Sequence, residues 1–254
     1  MSKTLAVIPA RLDSSRFPNK PLKEILGIPM VAHCLYRAKF CKKIDLLILA
    51  TPDKEIYELG KKLGFEVCVT SHDHERATER AGEVVEILKG QKKYFDNVIL
   101  LQGDEPQLNP KVVDQLIEKT KYSKNGIVNL IHKIKKSDLI DTNVVKALIN
   151  KKNEILYFSR ASIPKVCDNA YRQLGLIGFK TELLLKFIDL KPTPHETIES
   201  IDMMRLLDND IKIDSFEIDK PILGVDEKHH IQVVEKYLAS DTYYLDYKNK
   251  YEIL

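Results

Sequence analysis

The sequence predicts an α/β fold: a doubly wound, mostly parallel, Rossmann-like sheet. Three observations predict it. Short apolar runs alternate with helix-period segments through the first 120 residues, which is the pattern of successive βαβ units. Each polar cluster in that half sits just past the end of an apolar run, where open parallel sheets bind ligands. The 254 residues are 44% hydrophobic, enough apolar surface for one sizeable core.

In chain order, residues 5–8 (L-A-V-I) read as a first buried strand. Pro9 and Pro18 bracket a polar loop and forbid an ordinary helix across it. An amphipathic helix is expected over 30–40 and a second buried strand over 46–50, ended by Thr51-Pro52-Asp53. A helix over 56–63 closes at Gly64, and 66–70 is a third strand. The polar loop 71–76 leads into a helix over about 78–88, and 97–101 is a fourth strand followed by Q-G-D-E-P. The second half is less regular. Strands are expected at 127–132, 144–150, 154–158, 174–179 and 211–217, with helices at 181–188, 196–207 and 227–237. The tail from Asp241 carries a cluster of tyrosines and no clear period. The reading is one domain over 1–254, with about 127–200 as an excursion from the sheet within it.

Net charge is +3, too small for a dedicated nucleic-acid binder. Four scattered cysteines without a C-x-x-C pair fit free thiols in a reducing compartment. No apolar run approaches the ~18 residues of a membrane span, and the N-terminus runs straight into a strand. A soluble, cytoplasmic protein with no membrane partner is expected.

The loop after the first strand holds Arg11, Ser14, Ser15, Arg16 and Lys20. Three cations and two hydroxyls at the carboxyl end of a strand suit an oligophosphate. Arginine grips two phosphate oxygens, lysine adds a compact charge, and turn N–H groups add an anion nest. There is no G-x-x-x-x-G-K-[ST], so this is not a P-loop. Asp104 follows the fourth strand, where an acid beside a phosphate loop suits Mg²⁺. Asp226, in G-V-D-E, reads alone as a helix N-cap. His33, His132, His195, His229 and His230 show no metal-ligand grouping.

The loop pattern R-x-x-S-[ST]-R-x-P-x-K-P-L resembles the signature of the CMP-sugar synthetases, most closely their 3-deoxy-manno-octulosonate cytidylyltransferase branch. The resemblance runs over nearly the whole chain. It implies that Ala10, Arg11, Ser14, Ser15, Arg16, Lys20 and Gln102 hold CTP, and that Asp104 and Asp226 bind the metal. It implies that Arg11, Arg16, Lys20, Asp104 and Asp226 carry catalysis. Thr78, Glu79, Arg80, Arg160, Gln173 and Asp202 are the implied sugar-binding residues, with Arg160 on the sugar acid's carboxylate. Lys146, in N-V-V-K, is a weaker match; a homodimer is expected, with about 127–200 as its sugar-binding and dimerisation excursion.

Departures from the family pattern are also visible. Asn19 stands where the family has Gly; asparagine tolerates a left-handed backbone. Arg76 and Ala77 replace Ser and Gly of H-x-S-G-T-E-R. In H-L-G-[IL]-Y-[GA]-Y this chain has Gln173 for His and Phe179 for the last Tyr, and Asp202-Met203 replaces Glu-Gln. These positions are expected to face the sugar, which points to 3-deoxy-manno-octulosonate or a close analogue such as its 8-amino form. The expected reaction is CMP transfer from CTP with release of pyrophosphate, for lipopolysaccharide or capsule sugar activation. Two alternatives stay open: a catalytically silent nucleotide-binding protein on this fold, and a sugar nucleotidyltransferase using another nucleoside triphosphate.

Overall fold

The computed structural model describes residues 2–13, 17–165, 170–220, 222–225 and 227–252. Strand β1 (Thr4–Pro9) leads through the polar loop and a 3₁₀ turn (Lys20–Leu22) to a small hairpin, β2 (Glu24–Ile25) and β3 (Ile28–Pro29). Then follow α1 (Met30–Ala38), β4 (Leu46–Thr51), α2 (Lys54–Lys62), β5 (Glu66–Val69), α3 (Ala77–Gly90), β6 (Asn97–Leu100) and α4 (Pro110–Tyr122). The second half runs β7 (Ile127–Lys133), α5 (Lys136–Ile140), β8 (Lys146–Ile149), β9 (Ile155–Ser159), β10 (Tyr171–Lys180) and α6 (Thr181–Asp189). It ends with α7 (Pro194–Glu199), α8 (Met204–Leu207), β11 (Asp214–Glu217), α9 (Lys228–Leu238) and α10 (Thr242–Glu252).

The central sheet has the order β11-β7-β10-β6-β1-β4-β5. Within that path only β10 runs against its neighbours. The two excursions from it are β8, which pairs with the start of β10, and β9, which pairs with β8. Thus β7 and β10, both within 127–200, are part of the central sheet, and the hairpin β8–β9 is an outrigger on its ligand-binding end.

Strand alternation explains why the core has two halves. Ala6 and Ile8 face a cluster closed by Val31 and Leu35 of α1 and Val113 and Leu116 of α4. Leu5 and Val7 face the other, closed by Val84 and Leu88 of α3 and Leu184 and Phe187 of α6. A strand buried on both faces needs an unbroken apolar run, which is what 5–8, 46–50 and 98–101 supply.

Several elements differ from expectation. Helix α4 occupies a stretch where no element is expected; Asn109 caps it by accepting from the Lys111 N–H, and Pro110 sits at its first turn. The single helix expected over 196–207 is two short ones, divided at Ser200, whose φ of 55° is left-handed. The tail is helix α10, not irregular chain. Helix α1 is buried at all nine positions rather than amphipathic, because α10 covers its outer side. Tyr247 stacks on Tyr36, and Asp241 accepts from Arg37 at 2.6 Å.

His33 lies inside that seam. Its Nε2–H donates to the Ile25 carbonyl at 2.8 Å, so Nδ1 accepts from the Tyr247 hydroxyl at 2.5 Å. The neutral ring is fully satisfied, whereas a second proton would meet a hydroxyl already donating. Burial, with Arg37 nearby, lowers the pKa from 6.5 to about 4 despite the Ile25 hydrogen bond. The unfolded chain therefore binds a proton between pH 6.5 and 4 that the fold does not. Stability present above pH 6.5 is lost as pH falls through that window, by about 3 kcal/mol in all. In urea titrations the loss between pH 7 and 4 is expected to shrink in His33→Gln; parallel pH profiles for the two proteins would remove His33 as the cause.

Candidate active site

The carboxyl ends of β1, β4, β5 and β6 point the same way because the strands are parallel, so the loops after them converge. Their convergence makes a cavity of about 400 Å³ lined by Ala10, Arg11, Lys20, His74, Arg76, Arg80, Gln102 and Asp104, among others. Each loop is tied to the next. Asp53, after β4, accepts from the Leu12 N–H at 2.8 Å and fixes the loop after β1. Arg11 reaches the His74 carbonyl at 3.2 Å and links that loop to the one after β5. His74 in turn is held by Glu83 at 2.7 Å. Asn19 adopts φ 56° and ψ 27°, the left-handed geometry its position requires, and so turns Lys20 inward.

Lys20 Nζ lies 2.5 Å from Asp104 Oδ2. Two opposite charges so close, both still reached by solvent, form a pair that an incoming phosphate and a cation can redistribute. Asp104 sits where it does because Gly103 precedes it: a Cβ there would lie 2.8 Å from the Pro9 carbonyl oxygen, so only glycine lets β6's exit loop press against β1. Arg80 is buried at the back of the cavity, bonded to the Thr70 hydroxyl and the Ser71 carbonyl. Burial first, and the nearby Arg11 second, lower its pKa; an anion would relieve the repulsion between the two arginines.

A second cavity of about 350 Å³ adjoins the first and shares Arg76, Ala77, Gln102 and Asp104 with it. It is lined further by Asn143, Arg160, Arg172, Gln173, Gly175, Ile177, Ser200 and Asp202. The joint between the cavities is stitched by Gln102, whose Nε2 donates to the Gly175 carbonyl, and by Glu105, which accepts from the Gly175 N–H. Gly175 has no room for a Cβ between those two side chains.

Arg160 crosses the wall of the second cavity, donating from Nε to the Glu199 carbonyl at 2.9 Å and from Nη1 to Thr142 and Asn143. Lys146 is fully buried and spends its three N–H groups on the carbonyls of Asp141, Val144 and Arg160. It therefore shapes the wall and keeps no donor for a ligand. Burial lowers its pKa. Gln173 gives its amide N–H to Asn129 at 2.7 Å, which fixes its orientation. Asp202 accepts from the Thr78 hydroxyl and the Met203 N–H; burial nonetheless raises its pKa.

The residues expected from sequence divide accordingly. Ala10, Arg11, Lys20, Arg80, Gln102 and Asp104 line the first cavity; Arg160, Gln173 and Asp202 line the second. Thr78 is buried behind Asp202, and Glu79 turns away to Arg205 at 2.8 Å. Ser14, Ser15, Arg16 and Asp226 lie outside the described residues. Two of the four sugar-facing substitutions require correction. Phe179 is buried opposite Val98 and Ile127, at the far end of β10, because an antiparallel strand carries its later residues away from the ligand end. Met203 is buried in the same half of the core. Conversely, Ile177 lines the second cavity and went unremarked, although it occupies the first tyrosine position of the family pattern. Counting alternate residues from Gln173 along one face of β10 finds it.

A cation-lined cavity beyond a parallel sheet, opening onto a polar cavity of similar size, is the layout of a nucleotidyltransferase. The family model described as Cytidylyltransferase matches residues 5–213, and the chain belongs to that family. It is 34% identical to a 3-deoxy-manno-octulosonate cytidylyltransferase of Thermodesulfovibrio yellowstonii, over 92% of this chain and 98% of that one. A relative of the same name from Fusobacterium nucleatum is also 34% identical, over 94% and 98%. Among solved structures, CMP:2-keto-3-deoxy-manno-octonic acid synthetase complexed with CTP superposes with a TM-score of 0.84, at 31% identity over 94% of this chain and 99% of that one. Among the described residues no helix is long and apolar enough to cross a membrane.

Proposed function

We propose that this protein transfers CMP from CTP to 3-deoxy-manno-octulosonate, or a close analogue, in a Mg²⁺-dependent reaction that releases pyrophosphate. The observation that carries the reading is the pair of joined cavities, one cationic and one polar, meeting at Gln102 and Asp104. Arg11, Lys20 and Arg80 neutralise the triphosphate, assisted by Arg16. Arg160 binds the acid's carboxylate and orients its anomeric hydroxyl toward the α-phosphate across the shared wall. The reaction needs no covalent intermediate on the protein; alignment and charge neutralisation supply the rate.

The donor set fits Mg²⁺, which takes one or two carboxylates and completes its shell with phosphate and water oxygens. Asp104 offers a partly exposed carboxylate beside the cations. Val225 donates its N–H to the Asp104 carbonyl at 2.9 Å, so the chain at 222–225 runs beside Asp104; Asp226 is the second expected ligand. When bound, the ion would polarise the α-phosphate. The protein is expected to act as a cytoplasmic homodimer.

One observation favours an amino-bearing sugar. Gln173 spends one of its two amide N–H groups on Asn129, and its carbonyl oxygen and the Asp202 carboxylate are acceptors in the lining of the second cavity. An ammonium group satisfies both where a hydroxyl does less. Pyrophosphate release is to be measured with CTP, UTP, ATP and GTP against both sugars. CTP is expected to be preferred, and kcat/KM for the 8-amino sugar to exceed that for the plain one by about tenfold. A preference for the plain sugar returns the substrate to 3-deoxy-manno-octulosonate; equal use of the four nucleotides overturns the cytidylyltransferase assignment.

A further inference from the structure

Arg76 is the one cation among the described residues that lines both cavities. It precedes α3, where its N–H is taken by Glu79 at 3.2 Å, so its backbone is fixed at the head of that helix. Its side chain reaches across the joint to the acceptor side, donating from Nη1 to the Ser200 hydroxyl at 3.1 Å and passing 3.7 Å from Glu196. Ser200 is the left-handed residue that ends α7. Its carbonyl accepts from Arg160 Nη2 at 3.5 Å, and the preceding Glu199 carbonyl accepts from Arg160 Nε. The two guanidinium groups therefore hang from one turn, and both line the second cavity.

We infer that Arg76 binds the carboxylate of the acceptor acid together with Arg160, at the mouth between the two cavities. This rests on the proposed function. The chemistry selects the carboxylate over the triphosphate. The anchors of Arg76, Ser200 and Glu196, belong to the acceptor side, while Arg11, Lys20 and Arg80 already serve the nucleotide side. In a 2-keto acid the carboxylate is bonded to the carbon whose hydroxyl attacks, so it must lie at the mouth when that hydroxyl meets the α-phosphate. A guanidinium at the mouth holds the carboxylate and offsets its repulsion with the phosphate. The family pattern has serine here, so the second guanidinium is a feature of this chain. Its N–H groups beyond the Ser200 and Glu196 contacts are available to a carboxylate, since guanidinium carries five donors.

The test compares wild type, Arg76→Ala and Arg76→Lys, with 3-deoxy-manno-octulosonate and its C1 carboxamide. Arg76→Ala is expected to raise the KM and the Kd for the acid about tenfold or more, the effect of losing a charge-assisted pair. Its KM for CTP and its Kd for the carboxamide should be unchanged. Arg76→Lys should recover part of the loss, and it covers the case in which the alanine variant folds poorly. An unchanged KM for the acid, or equal losses for acid and carboxamide, would overturn the inference and leave Arg76 a structural link between α3 and α7. Wild type releasing no pyrophosphate from CTP with the acid would instead overturn the proposed function, and the inference with it.

Discussion

Asp104→Asn is expected to lower turnover by about 10²-fold or more while the protein stays folded. The substitution keeps the size of the side chain and removes its charge. Two consequences can be separated. If Asp104 serves only to hold Lys20, which it meets at 2.5 Å, the asparagine variant loosens that lysine and weakens CTP binding with or without metal. If Asp104 holds the metal, metal-free CTP binding survives or tightens, because a carboxylate no longer repels the phosphates. What disappears is the improvement that Mg²⁺ brings. Calorimetry of CTP with and without Mg²⁺, alongside turnover, distinguishes the two. Turnover close to wild type at ordinary Mg²⁺ would remove Asp104 from the metal site.

The sheet was legible because its strands are buried on both faces and read as unbroken apolar runs, and the nucleotide cavity because its residues come in short contiguous motifs after those runs. The acceptor cavity was harder. Its lining is drawn from β10, the loops at 143 and 160, and the turn at 200, so its geometry depends on register and not on any local motif. Gln173 and Asp202 line that cavity while Phe179 and Met203 are buried away from it; a pattern of letters does not say how far along a strand the cavity extends. Ser200 was invisible as a helix break because it is neither glycine nor proline; it adopts φ 55° where the chain must turn to reach Arg160. The tail was not legible as a helix. Tyr243, Tyr247 and Tyr251 recur every four residues, a helical stripe, but tyrosine is amphipathic and a stripe of it carries a weak apolar signal. The full burial of α1 follows from that same missed helix.

Arg205→Met is expected to destabilise the fold by about 3 kcal/mol, because it strands a buried carboxylate. Arg205 and Glu196 are 2% and 1% exposed. They form a two-pronged pair, Nε to Oε2 at 2.7 Å and Nη2 to Oε1 at 2.6 Å, and Nη2 also reaches Glu79 at 2.8 Å. The guanidinium lies 4.3 Å over the Phe187 ring. Glu79 shows the strength of the coupling: burial pushes its pKa upward, yet hydrogen bonds from Arg205 and Arg76 bring it below the ordinary value. With methionine at 205, Glu196 keeps its burial and loses its two-pronged partner, with Arg76 left at 3.7 Å. A shift in Tm of about 10 °C follows for a chain of this size. The double variant Arg205→Met/Glu196→Leu is expected to recover much of the loss, since an apolar replacement of a whole buried pair is often neutral or better. The effect reaches the acceptor cavity through α7, which carries Glu196 in its first turn and ends at Ser200, the tether of Arg76 and Arg160. The double variant is therefore expected to stay folded yet bind the acceptor more weakly, because Glu196 no longer steadies Arg76. A single-variant loss below about 1 kcal/mol, the range of exposed pairs, would show that the network is no more than a surface contact.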